Sequence, residues 1–230
     1  MTTSPPGPTD APPASGAQPE PGQIPRTLAE VDGTTTQFLG KQGPFRPTVR
    51  LLEKDGARLV AKDYRACTPL YRWTVGAWNL AREESALRRL ADVEGVPRYV
   101  GRVGRWVLLM SWIRGRDIGK VRRFRQTPYF FDRLMEIVER MHERGVVHLD
   151  LRQRRNILIR TRPGEEPTPA VLDFGSALCV RPGGLLHRGL TRIDRSGVLK
   201  YKRRAQPDSL THEEARSLRR VERRRKLWPF

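Results

Sequence analysis

Apolar and polar residues alternate in four short runs in the first half of the chain, which predicts a strand-rich region. The predicted strands are residues 49–53, 58–64, 98–102 and 105–110. The Asp55-Gly56 pair between the first two strands is typical of a tight hairpin turn, because such a turn needs positive φ. Between the two pairs of strands, Leu80 and Leu87 fall on one stripe and predict a helix over residues 77–91.

The second half of the chain has helical periodicity. Phe130, Leu134 and Ile137 share one face of a helix predicted over residues 129–143. Three strand-like runs follow it, at residues 146–151, 156–160 and 170–172. A last helix is predicted to begin near Thr211 with a capping box. This order predicts an α+β chain with a strand-rich N-lobe and a helical C-lobe, and not an alternating β-α-β sheet.

Changes in composition predict the boundaries of these regions. Residues 1–25 contain eight prolines and three glycines, and we expect them to form a disordered leader. The folded domain is predicted over residues 26–205, with its N-lobe at about 34–110 and its C-lobe at about 114–205. Residues 206–230 are expected to form a basic C-terminal helix or tail.

Charge narrows the set of partners. The chain has 44 basic and 25 acidic residues, a formal net charge of +19. Residues 181–230 alone contain fifteen basic and five acidic side chains. Such a surface attracts an anionic partner: a nucleotide, nucleic acid, a phosphorylated glycolipid or an anionic membrane face. Charge alone does not choose among these four.

Several classes of protein are excluded by the remaining composition. The longest apolar run, residues 106–113, has eight residues with Ser111 among them, far short of the ~20 that a membrane-spanning helix needs, so we predict no transmembrane segment. The first 25 residues lack Lys and Arg, which argues against a secretory signal. Cys67 and Cys179 are too few for a disulfide framework. We therefore expect a cytoplasmic protein, with peripheral binding to the inner membrane face as a further expectation.

Three polar residues in the second half suit phosphate chemistry. Asp150 lies in the loop after the predicted helix, where it could accept a proton from an attacking hydroxyl. Asn156 could coordinate a metal ion through its amide oxygen. Asp173 precedes Phe174-Gly175 at a strand end, a setting that suits Mg²⁺, which prefers oxygen ligands. For each of these residues taken alone, a helix cap or a turn residue is the commoner explanation.

Two polar residues in the first half complete the pattern. Lys62 lies on a predicted strand, where its ammonium could bind phosphate oxygens. Glu83 and Glu84 lie on the predicted helix close to its apolar stripe, and either carboxylate could hold the Lys62 head group. The helical wheel barely separates these two glutamates.

The ordered set resembles the protein-kinase-like superfamily over about residues 36–200. This resemblance implies a two-lobed kinase-like fold with a shortened C-lobe, and it implies ATP and Mg²⁺ as cofactors. By the resemblance, Lys62 holds the α- and β-phosphates and Glu83 orients Lys62, because the spacing of Glu83 to Leu87 matches the family. Asp150 would orient and deprotonate the acceptor hydroxyl. Arg152 would neutralise charge on the γ-phosphoryl group.

The same resemblance assigns the metal and the adenine. Asn156 and Asp173 would hold Mg²⁺. Met110 corresponds to the gatekeeper at the end of a strand, and the backbone groups of Ser111 to Ile113 would bind the adenine edge. An Asp at position 194 resembles the residue that braces the catalytic loop from a later helix.

Within the superfamily the chain is similar to small bacterial kinases, namely the lipopolysaccharide core (sugar-acid) kinases and the RIO-like kinases. It departs from regulated eukaryotic protein kinases, because Leu149 replaces the Arg of His-Arg-Asp and no Ala-Pro-Glu follows Gly175. Asn156 comes six residues after Asp150, one more than is usual. No Gly-x-Gly-x-x-Gly precedes the strand lysine, and residues 40–43 form the only candidate phosphate-covering turn.

These features predict a kinase that transfers the γ-phosphoryl group of ATP to a protein Ser/Thr or to a sugar of a lipopolysaccharide-type glycolipid. Two alternatives remain open. One is a pseudokinase that binds nucleotide as a scaffold, and the other is a basic, nucleic-acid-associated RIO-like protein.

Overall fold

A computed structural model describes residues 19–119 and 128–226 of the chain, with side chains from 129 in the second segment and up to 223. Most of the predicted leader and the last four residues of the predicted tail therefore lie outside the described residues. The strands are β1 Thr35–Leu39, β2 Thr48–Lys54, β3 Ala57–Asp63, β4 Tyr99–Val103, β5 Val107–Ser111, β6 Arg116–Asp117, β7 Val146–Val147, β8 Ile157–Arg160, β9 Thr168–Val171 and β10 Leu178–Cys179. The helices are α1 Leu28–Gly33, α2 Pro69–Tyr71, α3 Ala77–Arg89, α4 Pro128–Glu143, α5 Leu185–Ala205 and α6 His212–Lys226.

The N-lobe is an antiparallel sheet of five strands in the order β1-β2-β3-β5-β4. Strand β3 lies at its centre, so Lys62 is flanked by Val49 of β2 and Leu108 of β5. A core that includes Leu59 and Leu109 packs one face of this sheet against α1. The central position of β3 fixes the direction in which its alternate side chains point.

A second core joins the two lobes. It contains Leu87 of α3, Met110 of β5, Leu134 of α4 and Phe174, all of which are buried. Burial of apolar surface here stabilises the fold by roughly 25 cal/mol per Å². Because Phe174 follows Asp173, the same packing holds the Asp173 turn beneath α3.

The C-lobe contains α4, α5 and α6 with two small sheets, β6-β8-β9 and β7-β10. Helix α5 begins at Leu185, well before Asp194, the one position for which the resemblance implied a later helix. Its buried face mixes polar residues such as Asp194 and Ser196 with the apolar Val198 and Tyr201, so the apolar stripe covers only the second half of the helix. Strand β1 and helix α1 were not predicted.

Ordered contacts continue on both sides of the predicted domain, residues 26–205. Gln23 Nε2 donates to the carbonyl oxygen of Asp55, and Ile24 packs against the N-lobe core, so ordered structure begins before residue 26. At the other end, Leu218 of α6 is buried, and Glu214 binds the buried ammonium of Lys202. Helix α6 therefore belongs to the C-lobe.

The predicted α+β, two-lobed organisation is confirmed, with a sheet-based N-lobe and a small helical C-lobe. The capping box at the start of α6 is also present, because Glu214 N–H donates to Thr211 Oγ1 and Thr211 N–H donates to Glu214. Among the described helices, none combines the length and the apolar character needed to cross a bilayer.

Candidate active site

The ammonium of Lys62 joins two carboxylates from different parts of the chain. Its Nζ donates to Glu83 Oε2 at 2.7 Å and Oε1 at 3.0 Å, and to Asp173 Oδ1 at 2.7 Å. Glu84 points elsewhere and binds Arg88 and Tyr99. The structure therefore places Glu83, and not Glu84, against Lys62.

Burial and charge set the protonation of this cluster. Burial disfavours the charged form of Lys62, but the carboxylates of Glu83 and Asp173 outweigh it and raise its pKa. For Glu83, burial disfavours the charged carboxylate and raises its pKa, although the positive charge of Lys62 acts in the opposite direction. The nearby ammonium lowers the pKa of Asp173, whose side chain keeps 45% of its surface exposed. A cationic Lys62 beside an exposed, ionised Asp173 suits the binding of phosphate and a metal ion.

The backbone of the Asp173 turn leaves space next to the Asp173 carboxylate and the Lys62 ammonium. Asp173 adopts positive φ (65°), which is uncommon for a residue with a side chain. A Cβ atom at Gly175 would lie 3.4 Å from Asp173 Oδ1 and 3.6 Å from Lys62 Nζ. A residue without a side chain at position 175 therefore leaves the cluster open on that side.

Asp150 and Asn156 lie together despite their unusual spacing. Asn156 Nδ2 donates to the carbonyl oxygen of Asp150 at 3.0 Å and to its Oδ2 at 3.1 Å. A 3₁₀ turn over Arg154–Asn156 takes up the extra residue. The side chains of Asp150 and Asn156 are therefore adjacent, as they must be to act on the same bound substrate.

Buried polar contacts hold the loop that carries Asp150. Asp194 of α5 accepts hydrogen bonds from the N–H groups of His148 (2.7 Å) and Leu149 (2.8 Å). His148 Nδ1 accepts from Asp150 N–H, and its Nε2 lies 2.9 Å from the carbonyl oxygen of Leu172. The bracing contact inferred for Asp194 is thus present, and it fixes Leu149 at positive φ (66°).

Arg152 lies beside this loop but faces α5. Its Nη2 donates to Ser196 Oγ at 2.9 Å, and its carbonyl oxygen accepts from the Tyr201 hydroxyl. This contact is away from the Lys62 cluster, so a role for Arg152 at a γ-phosphoryl group requires its side chain to turn from Ser196.

The segment after β5 is the predicted hinge, and some of its backbone N–H groups already donate hydrogen bonds within the protein. Met110 and Ser111 end β5 and are buried. Ser111 N–H donates to the carbonyl oxygen of Arg98, and Trp112 N–H donates to that of Arg58. Ile113 packs against the β8–β9 sheet. Because the N–H groups of Ser111 and Trp112 already have acceptors, the N–H group that we expect to reach the adenine edge is that of Ile113.

Residues 40–43 lie in the connection between β1 and β2, with Gly40 at positive φ (79°). Gly43 and Arg46 form an isolated β-bridge that closes the turn. This connection belongs to the same sheet as Lys62. Among the described residues, no contact joins residues 40–43 to Lys62, Glu83 or Asp173.

The donor atoms fit Mg²⁺ better than a softer metal. Asp173 and Asn156 supply a carboxylate and an amide, which are hard oxygen ligands. Within residues 19–119 and 128–226, no three His, Cys, Asp or Glu side chains are grouped to hold a metal ion unaided. A magnesium ion here would take its remaining ligands from nucleotide phosphates and water.

A contact of Arg82 at the site has no signal in the sequence. Arg82 Nε donates to the carbonyl oxygen of Ala177 at 2.8 Å, and its Nη2 contacts that of Ser176. Because the acceptors are backbone atoms, no residue type at their positions signals the contact.

Comparison with solved structures finds the same architecture in the Rio2 kinase from Chaetomium thermophilum. The TM-score is 0.60 at 12% identity, over 87% of this chain and 76% of that chain. The Rio2 kinase–ADP/Mg²⁺–phosphoaspartate complex from the same organism gives 0.59 at 13% identity, over 86% and 74%. No family model matches the sequence, and no curated protein matches it.

The chain therefore has the protein-kinase-like fold, and the resemblance to RIO-like kinases is confirmed at the level of the fold. The resemblance to lipopolysaccharide core kinases stays a prediction.

Proposed function

We propose that this chain is an ATP- and Mg²⁺-dependent phosphotransferase that moves the γ-phosphoryl group of ATP to a hydroxyl. The contact of Lys62 Nζ with both Glu83 and Asp173 carries the proposal, because it places a cation and an exposed carboxylate together. The fold shared with a kinase solved with ADP and Mg²⁺ supports the same cofactors here.

The nucleotide lies between the lobes in this proposal. Lys62 binds the α- and β-phosphates, and Glu83 orients Lys62. The adenine lies beside Met110, with its edge at Ser111 and Ile113. Phosphoryl transfer asks the protein mainly for positioning and charge neutralisation, so these residue types suffice.

Asp173 and Asn156 hold Mg²⁺, which neutralises phosphate charge when it is bound. Asp150 orients the acceptor hydroxyl and takes its proton. Arg152 leaves Ser196 to meet the γ-phosphoryl group. The acceptor is a protein Ser/Thr or a sugar of a lipopolysaccharide-type glycolipid, reached from the cytoplasm or from the inner membrane face.

The test is Mg²⁺-dependent transfer of label from γ-labelled ATP by the full chain to cell fractions and to itself. We expect Lys62→Met, Asp150→Asn and Asp173→Asn each to lower transfer at least about 100-fold. Asp208→Asn, a carboxylate change in the exposed turn before α6, is the matched control. Acid-stable label indicates a hydroxyl acceptor, whereas hydroxylamine-labile label indicates an acyl phosphate, as in the Rio2 phosphoaspartate complex.

The pseudokinase alternative predicts a different result. A wild-type chain that binds Mg²⁺-ATP without transferring label to any fraction contradicts the proposal and favours a nucleotide-binding scaffold. Binding of nucleic acid that falls steeply with salt and survives Lys62→Met favours the RIO-like nucleic-acid alternative.

A further inference from the structure

Helix α5 runs alongside the loop that carries Asp150. One turn after Asp194, Gly197 meets the loop so closely that a Cβ atom there would lie 3.2 Å from Leu151 Cβ. One turn further, the Tyr201 hydroxyl donates to the carbonyl oxygen of Arg152. Successive turns of α5 therefore contact successive residues of the loop.

The next turn of α5 and the next part of the loop each carry an exposed arginine. Arg204 follows Tyr201 by three residues, so the two share a face of the helix. Arg154 is exposed, and its stem lies against Gly119, where a Cβ atom would be 2.9 Å from Arg154 Cβ. Arg154, Arg204 and Asp150 all act electrostatically on the Tyr201 hydroxyl. The guanidinium groups of Arg154 and Arg204 therefore both lie near the end of the Asp150 loop that the Tyr201 hydroxyl contacts at Arg152.

The acidic groups nearby are already engaged. Glu222 of α6 is bound by Arg203 at 2.8 Å. Asp117 Oδ1 accepts from Gly119 N–H at 2.6 Å. Within the described residues, Arg154 and Arg204 make no ion pair, so their charge is available to a ligand.

We propose that Arg154 and Arg204 form an anion-binding subsite beside Asp150 for an acceptor peptide whose Ser or Thr is flanked by acidic residues. This inference rests on the proposed function and names the substrate class for the same site. Electrostatic complementarity of this kind selects the partner and sets its register.

The surroundings favour a peptide over a membrane or nucleic acid. A helix that lies in a bilayer surface needs an exposed apolar face, but Leu218 of α6 is buried and Val221 is half-buried. The exposed Leu185 and Leu186 lie at the other end of α5, about 28 Å from Arg204 by helical rise. Single-stranded nucleic acid needs exposed aromatic rings for stacking, whereas the Tyr201 ring is buried.

The test uses the full chain, labelled ATP, Mg²⁺ and three synthetic peptides that differ only in acidic, neutral or basic residues around one Ser. We expect the acidic peptide to be phosphorylated about ten-fold better than the neutral one. The double variant Arg154→Glu/Arg204→Glu should reverse the preference toward the basic peptide. Arg204→Gln alone should lower the acidic preference about three-fold.

The control is Arg188→Glu/Arg192→Glu, two exposed positions near the start of α5 with the same change in net charge. It should keep the acidic preference. Three results would overturn the inference. The first is equal phosphorylation of the three peptides, and the second is label in lipid or nucleic acid with none in the peptides. The third is an unchanged preference in the charge-reversed variant. Mg²⁺-dependent ATP turnover, measured on the same preparations, separates these results from failure of the proposed function, in which wild type turns over no ATP.

Discussion

Arg82 Nε donates a 2.8 Å hydrogen bond to the carbonyl oxygen of Ala177. Arg82 precedes Glu83 on α3, and Ala177 lies four residues after Asp173. One side chain therefore ties together the two backbone segments that carry the carboxylate partners of Lys62. The neighbouring contact between Ser85 Oγ and Cys179 Sγ, at 3.5 Å, extends the same attachment.

We expect Arg82→Gln to lower kcat about ten- to one hundred-fold with a smaller change in the KM for ATP. A hydrogen bond from a charged donor contributes about 1.5–3 kcal/mol, and its loss frees Asp173 relative to Glu83. Steady-state kinetics of ATP turnover give both constants. Arg89→Gln, at an exposed position on the same helix, should keep wild-type values, and equal kinetics for the two variants would contradict the positioning role.

The two glutamates of α3 provide a second, matched comparison. Glu83→Gln removes the buried charge that orients Lys62 and leaves Asp173 as the only carboxylate bound to the ammonium, so we expect the KM for ATP to rise about ten-fold or more. Glu84→Gln affects only contacts to Arg88, Arg102 and Tyr99, and should have little effect on KM. A similar KM for both variants would mean that Glu83 does not act through the lysine.

The sequence predicted those parts of the site whose residues lie at the ends of strongly patterned elements. Lys62 is on a clear strand, and Asp173 follows a short apolar strand. Their order along the chain and their residue types were therefore enough to propose them as site residues. Arg82 was missed because it acts on backbone carbonyl oxygens. The start of α5 was missed because the apolar residues of its buried face, such as Val198 and Tyr201, come late in the helix, while earlier buried positions are polar, as at Thr191 and Asp194.

Gly197 offers a test of how closely α5 must approach the loop. In Gly197→Ala the new methyl group would lie 3.2 Å from Leu151 Cβ and 3.3 Å from its backbone carbon, so the loop with Asp150 must shift. We expect kcat to fall about ten-fold and the free energy of unfolding to fall by about 1–2 kcal/mol.

The control lies on the same helix. A Cβ atom at Gly189 meets nothing within 4 Å, so Gly189→Ala should raise the free energy of unfolding by about 0.5–1 kcal/mol and leave kcat unchanged. Urea unfolding and ATP turnover measure both quantities. If Gly197→Ala behaves like Gly189→Ala, the loop tolerates the displacement and the close contact has no functional weight.

The last prediction concerns pH and the buried His142. Its Nε2 lies 3.1 Å from Asp194 Oδ2, and its Nδ1 lies 3.9 Å from Glu139 Oε2. Burial opposes the charged imidazole, but these two carboxylates outweigh it and raise the pKa of His142 above its usual 6.5. The other neighbours are His187, whose ring centroid is 6.0 Å away, and Arg195, which binds Glu139.

A raised pKa means that the folded chain binds the proton more tightly than the unfolded chain. The stabilisation is therefore complete below pH 6.5 and is lost as pH rises through the folded-state pKa. We expect the free energy of unfolding, measured in urea between pH 5.5 and 8.5, to fall more steeply for wild type than for His142→Gln. His212→Gln, at an exposed position in α6, should keep the wild-type slope. Equal slopes for wild type and His142→Gln would show that folding leaves the pKa of His142 unshifted, so that the contacts with Asp194 and Glu139 do not hold the imidazole in its charged form.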